Sequence, residues 1–215
     1  MQAWESPIIR VTTGRLNTVD DLVIAGGPSI GSRSRYGGQL GKSVFYSSEQ
    51  ISTMFDSSVG TLYTGAYQYV KRRASDPDSP ALAAGKLAFW DTTATSWESA
   101  FQVTTDENLD GQANAVIRAG VFIGHITPGQ YGFIQWFGEA SLRFRTVLTT
   151  AGAVGSPVYA AAAGDTGADQ GTADVLTTDS TAAANERWLG WAVTAPTAGG
   201  LKKVLLANDA FMRIG

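Results

Sequence analysis

A chain of 215 residues with a net charge of −3, 44% apolar and 16% charged side chains can build a buried core. It lacks the basic excess that a phosphate-neutralising protein carries, and with no cysteine and one histidine it excludes disulfide frameworks and thiolate metal sites. No stretch approaches the ~18 apolar residues of a membrane-spanning helix, and Met1-Gln2-Ala3-Trp4-Glu5-Ser6-Pro7 lacks the basic start and apolar run of a secretory leader. The expectation is therefore a soluble chain made in a cytoplasm, with neither nucleic acid nor membrane among its partners.

Residues 1–60 open the chain as an extended, Gly-rich N-terminal arm. Gly26-Gly27-Pro28, Gly31, Gly37-Gly38 and Gly41 interrupt this stretch before any hydrophobic period is established, so it makes little core of its own. Leu22-Val23-Ile24-Ala25 reads as one short strand. Ser48 to Phe55 reads as a helical turn capped by Ser47 or Ser48.

From residue 61 the pattern changes to that of a β-domain running to residue 215. Leu62-Tyr63, Ala66 to Val70, Leu87 to Trp90 and Phe101 to Val103 carry aromatic and β-branched residues at strand spacing. Between them, Ser75-Asp76-Pro77-Asp78-Ser79-Pro80 is a loop on turn chemistry. Val116 to His125, Tyr131 to Phe137 and Ala140 to Leu148 follow as a three-stranded meander, cut by Thr127-Pro128-Gly129-Gln130 and by Gly138. Within it Tyr131, Phe133 and Gln135 take one face, and Ile134 and Trp136 the other. Pro157 to Ala160, Trp188 to Val193 and Leu201 to Leu206 close the chain as strands. The intervening acidic segment 161–185, rich in Gly, Asp, Thr and Ala, is expected to be an exposed loop or a long hairpin. The fold class is thus all-β, a small β-barrel or sandwich behind an N-terminal arm.

Catalytic motifs fail on context. Gly27-Pro28-Ser29-Ile30-Gly31 fits G-x-S-x-G, but Ser32 to Gly38 is a poor helix to support a nucleophile, and the sole histidine, His125, falls within a strand. Gly37 to Ser43 is a near miss to a phosphate loop, because Tyr36 stands where the first glycine belongs. Asp165, Asp169, Asp174 and Asp179 offer oxygen ligands at spacings that match no calcium loop. Trp90, Trp97, Trp136, Trp188 and Trp191 suit a core better than a sugar platform. Trp188 and Trp191, an odd number of positions apart, are expected on opposite faces of their strand. No cofactor, metal or catalytic residue is assigned, and the chain is read as a non-enzyme.

Several motifs together resemble those of tailed-phage virion proteins: Ala119-Gly120-Val121-Phe122-Ile123-Gly124, Thr127 to Gln135, Gly138-Glu139-Ala140, Gly155 to Tyr159, Leu189 to Val193 and Lys203-Val204-Leu205-Leu206. Residues 61–208 look like a capsid decoration, or cement, protein. The resemblance implies a homo-oligomer, a trimer being favoured, bound to the outer surface of an icosahedral head. There it would stabilise contacts between major capsid subunits after synthesis in the host cytoplasm. Residues 1–60 fall outside the resemblance. Their cations Arg33, Arg35 and Lys42 are the candidate partner-binding residues, placed to meet acidic capsid patches. The alternatives are a head-fibre base, neck or tail component and, from another class, a glycan-binding module.

Overall fold

The computed structural model describes residues 41, 43–49, 63–76, 85–91, 101–106, 118–124, 126–161, 169–175 and 188–207. The chain is all-β, as expected, and is built on a closed five-stranded barrel with additional strands. The strands are β1 (Ser43–Tyr46), β2 (Gly65–Arg72), β3 (Leu87–Trp90), β4 (Gln102–Thr104), β5 (Arg118–Phe122), β6 (Tyr131–Arg143), β7 (Pro157–Ala160), β8 (Ala173–Val175), β9 (Trp188–Ala192) and β10 (Leu201–Leu206).

The barrel closes on β2. Along one edge β2 pairs antiparallel with the first half of β6 (Tyr67↔Gln135, Val70↔Gly132). Along the other it pairs antiparallel with β1 and then parallel with β4 (Lys71↔Gln102, Arg72↔Val103). β3 and β5 complete the ring β2-β4-β3-β5-β6, with Val70, Ala88, Val103, Phe122 and Ile134 packed together inside it. Closure leaves these strands no free ladder edge, which suits their short length.

A second ring repeats the first at an offset of seventy residues. The pairs Leu87↔Val121 and Ala88↔Gly120 of β3 and β5 recur as Pro157↔Trp191 and Val158↔Gly190 of β7 and β9. Val121↔Gln135 recurs as Trp191↔Leu205. Single hydrogen bonds recur too: Gly85 N to Phe122 O at 2.7 Å matches Gly155 N to Ala192 O at 2.8 Å. In the turns, Gln130 N to Thr127 O at 2.9 Å matches Gly200 N to Thr197 O at 3.0 Å. The parallel contact of β2 with β4 is echoed by the bridge Phe144↔Ala173, which closes the ring β6-β8-β7-β9-β10. β6 is the longest strand because it serves both rings: its first half ends the first ring and its second half, from Gly138, begins the second.

The rings share packing as well as a strand. Leu87, Phe89 and Val121 turn outward from the first barrel and lie in one cluster with Leu142, Val158 and Leu189 of the second. All six are between 0% and 2% exposed, so β3 is buried on both faces and reads as an unbroken apolar run.

Several local expectations are corrected. Gly138 does not cut the 131–148 region into two strands; β6 passes through it, and its second half pairs with β10 rather than folding back as a meander. A glycine stands there because an added Cβ would lie 2.4 Å from Thr64 O and 3.0 Å from Gly65 Cα, with φ at +90°. Part of the segment expected to be an exposed acidic loop is core: Ala173, Asp174 and Val175 form β8 and are at most 2% exposed. Ser43–Tyr46, at the end of the expected arm, is a strand of the sheet. Ser48 and Glu49 are helical, and the remainder of that expected turn lies outside the described residues, as does Leu22-Val23-Ile24-Ala25.

Candidate interaction surface

The residues assigned from sequence to partner binding, Arg33, Arg35 and Lys42, lie outside the described residues, as do Ser29, His125, Asp165, Asp179 and Trp97. Of the near-miss phosphate loop, Gly41 and Ser43 are described. The Gly41 amide donates to Tyr69 O at 2.8 Å and its carbonyl accepts from Gln68 Nε2 at 2.9 Å, so both backbone groups fasten this residue to β2.

The two described acidic-segment carboxylates are structural. Asp174 accepts from Thr149 N at 3.0 Å, Thr149 Oγ1 at 2.5 Å, Val175 N at 2.7 Å and Arg145 Nη1 at 3.2 Å, and is 2% exposed. Asp169 accepts from Thr146 N at 2.7 Å and Thr146 Oγ1 at 2.8 Å. Together they tie the chain after β6 to the segment around β8, which compensates the burial of a charge. In the first ring the corresponding closure uses Asp76, which accepts from Arg72 Nε at 3.3 Å, Thr104 Oγ1 at 2.6 Å and Thr105 N at 3.2 Å. Among the described residues, no group of three or more His, Cys, Asp or Glu side chains is placed to hold a metal ion.

The tryptophans divide by position. Trp90 is core at 6% exposure, and Trp136 is the extra residue where Ala66↔Phe137 shifts to Tyr67↔Gln135, packed against the second ring. Trp191 is 47% exposed and meets Trp188 edge-on at 5.7 Å between ring centroids. Their expected placement on opposite faces is overturned by a β-bulge. Val158 and Tyr159 pair with Gly190 and Trp188, which leaves Leu189 as an extra residue and reverses the alternation. Gly190 is required there, since an added Cβ would sit 1.9 Å from Leu205 O.

Among the described residues, Val147 and Val154 are exposed, and two further exposed apolar features include aromatic side chains. One is the row formed by Trp191 and its direct partner Leu205, which is 45% exposed and pairs in turn with Glu139. Beside it Lys203 forms an ion pair with Glu139 and lies 4.6 Å over the Tyr63 ring. The other is Phe45 on β1, 61% exposed, with its ring 6.5 Å from that of Phe137. An apolar row with a charged pair at its margin is suited to burying another protein's surface, because the aromatic supplies desolvated area and the charges supply orientation. Only bulge placement made Trp191 identifiable; sequence alternation alone separated it from Trp188 without saying which faced out. No model of a known protein family matches this sequence, and comparison with curated proteins finds no match.

Proposed function

We propose that this protein is a structural component of a phage virion. It binds the outer surface of an icosahedral head as a homo-oligomer and stabilises contacts between major capsid subunits, without catalysing a reaction. The turn-and-strand motifs over residues 61–208, which resemble those of decoration proteins, support this reading. The observation that carries it is β1. Ser43–Tyr46 pairs with β2 through Ser43↔Gln68 to Tyr46↔Gly65, so the segment leading from the N-terminal arm is stitched into the barrel sheet. Phe45 stands exposed at that junction. A grip on a shell subunit through Arg33, Arg35 and Lys42, which precede β1 in the chain, is thereby joined directly to the barrel sheet. Each bound copy favours the assembled shell by mass action, and interfaces of about 1,600 Å² repeated over a symmetric surface add up without any single strong site.

The test is to compare heads with and without the protein. Decoration predicts copies in the hundreds per head and a lower temperature of shell disruption when the protein is left out. A copy number near that of a vertex or tail structure assigns the chain to the head-fibre, neck or tail alternative instead. Unchanged shell stability at high occupancy overturns the cement role.

A further inference from the structure

We draw no further inference here: the strongest candidate, the outer edge of β1 at the open end of the sheet, where Phe45 stands exposed, has no neighbouring strand among the described residues, and nothing in the structure shows what covers it.

Discussion

Lys86 is fully enclosed between the two rings, and removal of water from its ammonium group, reinforced by the nearby charge of Arg143 and opposed by Asp169, lowers its pKa from 10.5 to about 8. The folded protein therefore releases this proton more readily than the unfolded chain. Between pH 8 and 10.5 the unfolded state holds more protons, and stability rises with pH across that window. Tyr67 acts in the opposite sense higher up: burial raises its pKa above the ordinary 10.0, so ionisation of the unfolded tyrosine reduces stability beyond that value. Urea unfolding should show a gain of at most ~3 kcal/mol from pH 8 to pH 10, which Lys86→Met removes. A flat profile in the parent protein would refute this account. Nothing in the sequence marked Lys86 as buried, because its neighbours Gly85 and Leu87 are equally compatible with a solvated turn. Asp174 was visible as an oxygen ligand in an acidic stretch, but its role as an anchor for Thr149 and Arg145 depends on residues distant in sequence.

At the scale of elements, strands with aromatic and β-branched residues were legible: β2, β3, β5, β7, β9 and β10 all fall where pattern places them. β8 was not, because the three residues Ala173-Asp174-Val175 are too few for their alternation to stand out in a stretch rich in Gly, Asp, Thr and Ala; it is a strand by virtue of its pairing to β7 and the hydrogen bonds to Asp174. β6 was misread as two strands because Gly138 carries the same letter whether it ends a strand or allows β2 to approach closely. The shared strand has an energetic consequence. Leu142, on its second half, is fully buried in the cluster that also holds Leu87, Phe89 and Val121 of the first ring. Leu142→Ala should cost about 2–5 kcal/mol through lost contacts and a residual cavity. Calorimetry should show the whole transition moving down as one cooperative unit, with calorimetric and van't Hoff enthalpies in agreement. Two separated transitions would mean that the rings unfold independently.

For the whole molecule, the decisive feature is that two units of like topology are coupled in series through the shared strand β6. If the homo-oligomer of the proposed function forms, the folded state is stabilised by mass action and the melting temperature must rise with protein concentration. Scanning dilute and concentrated samples should reveal such a shift; a concentration-independent transition would remove self-association as a source of stability.

The amino-acid sequence by itself determined an all-β chain, most of its strand positions and its turns, since these follow from local alternation, Gly and Pro placement and a lack of long helical periods. It did not disclose the duplication. Gly85 and Gly155, Gly120 and Gly190, Thr127 and Thr197, and Gly129 and Gly199 are matched pairs, while most of the residues between them differ. Ring packing constrains side-chain size and burial more than identity, and backbone geometry constrains glycine. Only the tertiary structure decided which faces are covered, because exposure of a strand depends on what packs against it: the same outward position is core at Val121 and surface at Trp191.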